Sequence, residues 1–305
     1  MQHATRAHDK IAWFGGSFSP PTRMHVRVAV EIGKSILHLT APGRTCCVCI
    51  VPVSGAYKKG SVRDPCVTQA HRWALAEAFL QAIIHEIAID PPERSRDLQF
   101  RLLRHEFDSK TPVATINGLR MLEAHAFCDE HTQIYIAQGQ DNIMDIMSRR
   151  WVQSDELLRK YRFFLFPRDN HLSIPAVVVD VIRNLIEHRD REKYPPFDLD
   201  EALDIASRVE FVGEGFSDDT SSSKARLNIR NNRSLDTVDE SIPMHPIVLR
   251  AFLDLSKHSP DIYSSPECEV TPKTGGSSSC NRRRLASPTW RRAVGSGVES
   301  SFYRR

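Results

Sequence analysis

The stretch Ile11-Ala12-Trp13-Phe14-Gly15-Gly16-Ser17-Phe18-Ser19-Pro20-Pro21-Thr22-Arg23-Met24-His25 decides the fold. Residues 11–14 read as a short buried strand, and residues 23–37 place apolar side chains at helical spacing. Between them a Gly-Gly loop turns the chain, since glycine has no Cβ to clash. Bare amides in such a turn, together with the unpaired N–H groups of the helix start, suit an anion. Thr22 and His25 are three apart, so on a helix both face whatever the loop holds. The loop matches neither G-x-x-x-x-G-K-[ST] nor G-x-G-x-x-G, which excludes a Walker A site and a dehydrogenase-type dinucleotide fingerprint. Taken alone, the segment is equally compatible with a plain turn and a packed or solvated histidine.

Strands and helices alternate onward from it. Residues 46–53, 133–137, 162–166 and 208–212 read as strands. Residues 67–88, 115–126, 141–147, 177–188, 221–231 and 246–257 read as helices. This alternation predicts an α/β fold: a Rossmann-like, doubly wound parallel sheet with flanking helices. In such a sheet ligands bind beyond the carboxyl ends of the strands, where strand order reverses.

A second hydroxyl-rich turn comes late, at Asp218-Asp219-Thr220-Ser221-Ser222-Ser223-Lys224-Ala225-Arg226. Its hydroxyls suit an N-cap, which is the bland reading. Three serines followed by Lys224 and Arg226 also make a second anion-binding helix start, with a planar guanidinium able to fork onto phosphate oxygens.

Composition bounds the rest. The 305 residues are 41% hydrophobic and 26% charged, enough to bury a sizeable core. A formal charge of +3 is too small for a whole-surface nucleic-acid binder. No stretch approaches 20 apolar residues and no apolar leader opens the chain, so an intracellular protein of nucleus or cytoplasm, without membrane contact, is expected. Cys46, Cys47 and Cys49, in an apolar strand and part of an odd total of seven, read as packing residues. Residues 259–305 hold eight basic against four acidic side chains, so that stretch carries +4 of the total and the remainder −1. Rich in Ser, Pro and Gly, it reads as a disordered basic tail behind a catalytic domain of residues 1–258. Residues 173–207 read as a surface insertion in that domain.

The pairing of G-S-F-x-P-x-T-x-M-H (Gly16 to His25) with S-S-[ST]-x-x-R (Ser221 to Arg226) resembles the double signature of the nucleotidylyltransferases. It looks most like the eukaryotic branch of nicotinamide or nicotinate mononucleotide adenylyltransferases. Pro52-Val53-Ser54-Gly55-Ala56-Tyr57-Lys58-Lys59 is similar to that branch's P-V-x-x-A-Y-K-K, and Thr115-Ile116-Asn117-Gly118-Leu119-Arg120 to its T-L-x-x-L-R. Gly139-Gln140-Asp141 with the later Trp151 resembles its G-A-D and downstream Trp. The branch's Trp three residues before T-L is here Pro112, and Arg150 and Asp218 stand where Leu and Asn are usual.

The resemblance implies transfer of the adenylyl group of ATP to nicotinamide or nicotinate mononucleotide, with Mg²⁺ held mainly by phosphates and no protein metal ligands. It implies catalytic roles for His25, Thr22 and Arg226. Gly15, Gly16, Ser17, Phe18, Ser222, Ser223 and Lys224 would meet ATP and its phosphates. Tyr57, Lys59, Thr115 and Trp151 would hold the mononucleotide, and Gly139, Asp141, Glu214 and Asp218 the adenosine and ribose. Small-molecule nucleotides are the expected partners, nucleic acid is not, and homo-oligomerisation is left open. The other readings are transfer of an adenylyl or cytidylyl group to a different phosphorylated acceptor, and a nucleotide-binding chaperone or scaffold.

Overall fold

Six parallel strands form the sheet, in the order β3-β2-β1-β4-β5-β6. They are β1 (Lys10–Gly16), β2 (Cys46–Pro52), β3 (Leu98–Leu102), β4 (Gln133–Gly139), β5 (Arg162–Phe166) and β6 (Val209–Phe211). The computed structural model describes residues 7–55, 67–166, 174–187, 196–213, 222–231, 242–259 and 262. Among them the helices are α1 (Arg23–Leu39), α2 (Gln69–Ile89), α3 (Thr115–Glu123), α4 (Gln140–Met147), α5 (Ser154–Lys160), α6 (Ile174–Ile186), α7 (Leu199–Ser207), α8 (Ser222–Asn231) and α9 (Pro246–His258). None of these helices is long and apolar enough to cross a membrane.

Register follows from alternation. Ile11 pairs with Cys47 and Ile134, and Trp13 with Cys49 and Ile136. Successive side chains of a strand point to opposite faces. One face therefore collects Ile11, Trp13, Cys47, Cys49, Ile136 and Phe163 beneath α3 to α7. The other collects Ala12, Phe14, Cys46, Val48 and Phe164 beneath α1, α2, α8 and α9. The three cysteines of β2 are free and fully buried, as their apolar setting demands.

Three features depart from the sequence-based expectation. The edge strand β3 lies in a stretch that reads as connection: Gln99 and Arg101 interrupt its apolar residues, because only one side of an edge strand is covered. Residues 173–207 are not a surface addition in their described part. There α6 and α7 carry the crossover from β5 to β6 and bury Val181, Leu185, Phe197, Ala202 and Ile205 in the second core. The boundary at 258 falls too early, since Ile262 is 1% exposed within the first core. The chain divides after Glu269. Residues 263–305, expected to be a disordered tail, lie outside the described residues.

Candidate active site

Strand order reverses between β1 and β4, and the carboxyl ends of these two strands open the candidate site. Gln138 of β4 donates from Nε2 to the carbonyl of Gly15 over 3.3 Å, and Asn142 of α4 donates to Gln138 Oε1 over 2.7 Å. Gly139, the last residue of β4, is the N-cap of α4, and Asp141 in its first turn is exposed at the same end of the sheet.

The two glycines do not form the turn that the sequence suggests. Gly15 and Gly16 continue β1, opposite Val51 and Pro52, and Val53 donates its amide to the Gly16 carbonyl. Their lack of a side chain makes room for neighbours. A Cβ on Gly15 would overlap the Trp13 indole, and one on Gly16 would lie 2.9 Å from the Phe18 ring. The reversal sits at Phe18, whose φ of 42° lies in the left-handed region. Its ring is 2% exposed and set edge-on to Phe14 and His25.

Thr22 and His25 form a capping box at the start of α1. The His25 amide donates to Thr22 Oγ1, while the Thr22 amide donates to His25 Nδ1 over 3.0 Å. An amide can only donate, so Nδ1 is the unprotonated nitrogen and the ring proton belongs on Nε2. The cap thereby fixes both the tautomer and the direction of the imidazole. Thr68 and His71 make the same box at the start of α2, so T-x-x-H occurs in this chain a second time as a helix cap.

Helix α8 brings the late signature to the same loop. Ser222 Oγ donates to the carbonyl of Pro20 over 2.9 Å, and Arg226 Nη1 to that of Ser19 over 2.6 Å. Ser222 and Arg226 are half-buried and Lys224 is exposed. The helix starts of α1 and α8 thus share one loop at the end of β1. Converging hydroxyls, imidazole and guanidinium at two positive helix ends is the chemistry of a polyphosphate site.

Thr115 opens α3, and Trp151 lies between α4 and α5, packed against the second core and held through Ser154. Arg150 reaches back to Asp145 Oδ1 over 2.7 Å. Pro112 is exposed. Tyr57, Lys59, Glu214 and Asp218, and the side chain of Ser223, lie outside the described residues.

Sequence reasoning missed two groups. Arg72 of α2 is 3% exposed and donates from Nη2 to the carbonyls of Val53 at 2.7 Å and Ser17 at 3.5 Å, clamping the ends of β1 and β2 together. An arginine inside a helix gives no sign of this. Glu106 is 2% exposed, and among the described residues its Oε1 has no hydrogen-bond partner. It lies flat on Gly118 in the first turn of α3, where any Cβ would overlap it. Burial pushes its carboxyl up to about 8. Beside it in sequence, burial and then the charge of His125 bring His105 down to about 4. Among the described residues no group of three His, Cys, Asp or Glu is placed to hold a metal.

A family model described as cytidylyltransferase-like matches residues 13–228, a span that begins in β1 and ends in α8. No curated protein matches the chain. Among solved structures it is similar to Plasmodium falciparum nicotinic acid mononucleotide adenylyltransferase complexed with APC and complexed with NaAD. Each is 16% identical with a TM-score of 0.47, over 82% of this chain and 96% or 97% of theirs. With the family model spanning well over half its length, the chain belongs to the cytidylyltransferase-like family of nucleotidyltransferases.

Proposed function

We propose that the protein transfers the adenylyl group of ATP to nicotinamide mononucleotide, nicotinate mononucleotide or both, giving NAD or deamido-NAD and pyrophosphate. The observation that carries this reading is the seating of Ser222 and Arg226 on the Ser19–Pro20 loop, which leads directly into the helix start that Thr22 and His25 cap. That loop ends β1 at the switch point, where this sheet class binds nucleotides.

The attacking group is already an anionic phosphate, so no side chain has to become a nucleophile and no covalent enzyme intermediate is needed. Catalysis reduces to aligning two polyanions and stabilising charge on the α-phosphate and the departing pyrophosphate. His25 donates from Nε2, with Thr22 fixing its ring. Arg226, its guanidinium oriented by the Ser19 carbonyl, would meet the phosphates, and Ser222, Ser223 and Lys224 act from the start of α8. Mg²⁺ would ride on the phosphates and neutralise them, in keeping with a cation that retains its waters and takes few protein ligands. Gly15, Gly16, Ser17 and the backbone at Phe18 would line the phosphate path. Gly139, Asp141, Glu214 and Asp218 would receive adenosine and ribose, and Tyr57, Lys59, Thr115 and Trp151 the mononucleotide.

The Ala56-Tyr57-Lys58-Lys59 stretch and Trp151 favour this acceptor over another phosphorylated one. The test is incubation with ATP, Mg²⁺ and each mononucleotide in turn, with products identified by mass. A dinucleotide from at least one is expected; turnover only with some other phosphorylated acceptor, or none at all, would contradict the reading.

A further inference from the structure

β3 ends the sheet, so among the described residues the backbone groups on its outer side have no strand partner. The Leu103 amide donates inward, to Ile50 of β2. Backbone direction alternates along a strand, so residues 99 and 101 also face β2 while Leu98, Phe100 and Leu102 turn their N–H and C=O outward. Natural edges are usually blunted by Pro, Lys or a bulge. Leu98-Gln99-Phe100-Arg101-Leu102 holds neither Pro nor Lys, and its register to β2 is unbroken. Its one charge is folded back, the Arg101 guanidinium lying 4.6 Å from the Phe127 ring and donating to Gln99.

Two grooves meet at this edge. One of about 480 Å³ runs between Ile84 and Leu98, and one of about 840 Å³ between Trp73 and Phe127. Phe100 and Arg101 line both. Ile84 of α2 is 44% exposed beside them and extends the apolar surface along the strand edge.

The strand is complementary to itself in one register. Antiparallel pairing centred on Phe100 sets Phe100 opposite its own copy and Leu98 opposite Leu102. These are the residues whose backbone faces outward, so every such pair becomes a hydrogen-bonded one. Gln99 then falls opposite Arg101 at the closely spaced, non-hydrogen-bonded positions, giving two amide–guanidinium pairs and no opposed like charges. A two-fold axis demands this kind of self-match, whereas an unrelated peptide does not. We propose that this edge is a homodimer interface, in which two β3 strands pair antiparallel about Phe100 and the two sheets become one of twelve strands. The strands alone fall short of the roughly 1,000 Å² of a stable interface, and the flanking grooves, with Ile84 and Trp73, supply the rest.

The test is sedimentation equilibrium of the full chain across the micromolar range, with hydrogen exchange of residues 98–102 measured at the same concentrations. A monomer–dimer equilibrium is expected, with exchange of that segment slowing as the dimer forms. Gln99→Lys, an exposed position, sets Lys against Arg101 twice and is expected to raise the dissociation constant at least about tenfold, while Gln99→Glu lowers it. A monomer at all concentrations overturns the proposal, and so does a dimer indifferent to both substitutions. Exchange protection that does not depend on concentration overturns it too, because the edge would then be covered within one chain.

Discussion

Arg226 and Ser19 stand 207 positions apart and meet at 2.6 Å, guanidinium to carbonyl. Through that bond α8 is fixed on the loop between β1 and α1, the helix whose start Thr22 and His25 cap. A carbonyl that holds one nitrogen of a planar fork fixes the plane of the guanidinium, and on the proposed function that orientation presents Arg226 to phosphate.

Arg226→Lys keeps the charge and loses the fork. Turnover should fall by about 10²–10³-fold, the scale of removing one preorganised donor to a transition state, with thermal stability nearly unchanged. Steady-state kinetics beside a melting curve checks both.

His25→Ala removes a cap as well as a donor, and the chain contains its own control. His71 occupies the matching place in the α2 box. Each alanine variant should cost about 1 kcal/mol of stability. Only His25→Ala should abolish pyrophosphate release. Equal losses of activity in the two would reduce His25 to a cap.

Glu106→Gln tests the buried carboxyl through pH. Its ordinary value is 4.5 and in the fold it rises to about 8. Between these limits the native state keeps a proton that the unfolded chain releases, so this group's contribution makes stability fall as pH rises through the window. The glutamine variant should gain on the parent steadily from about pH 5 to pH 8 in denaturant titrations. A constant difference would mean that Glu106 is not desolvated.

Gly118→Ala should destabilise by about 1–3 kcal/mol through overpacking, because its Cβ overlaps Glu106. Adding Glu106→Ala should restore most of the loss. Additive losses in the double variant would show that the two positions do not touch.

Truncation locates the end of the fold. Removing 259–305 deletes buried Ile262 and should cost about 2–3 kcal/mol, whereas removing 270–305 should cost nothing measurable. Melting curves of the two shortened chains decide it.

The parallel sheet was legible because its central strands are buried on both faces and read as unbroken apolar runs. β3 was hidden because half of it faces outward and its pattern is mixed. At the site, Thr22, His25, Ser222 and Arg226 could be placed together from their signatures, since helix starts beyond parallel strands must gather at one end. The burial of the Phe18 ring was not legible, because a residue inside a loop motif gives no local sign that its side chain turns into the core. Arg72 and Glu106 left no trace, for their roles arise from burial and long-range approach, which local pattern does not encode.

The central claim, one phosphate path between two helix starts, is tested most directly with ATP labelled at its α-phosphate. The label should pass into the dinucleotide, with unlabelled pyrophosphate released, and both should vanish in Arg226→Ala. Label left in ATP, or a dinucleotide formed undiminished without Arg226, would contradict it.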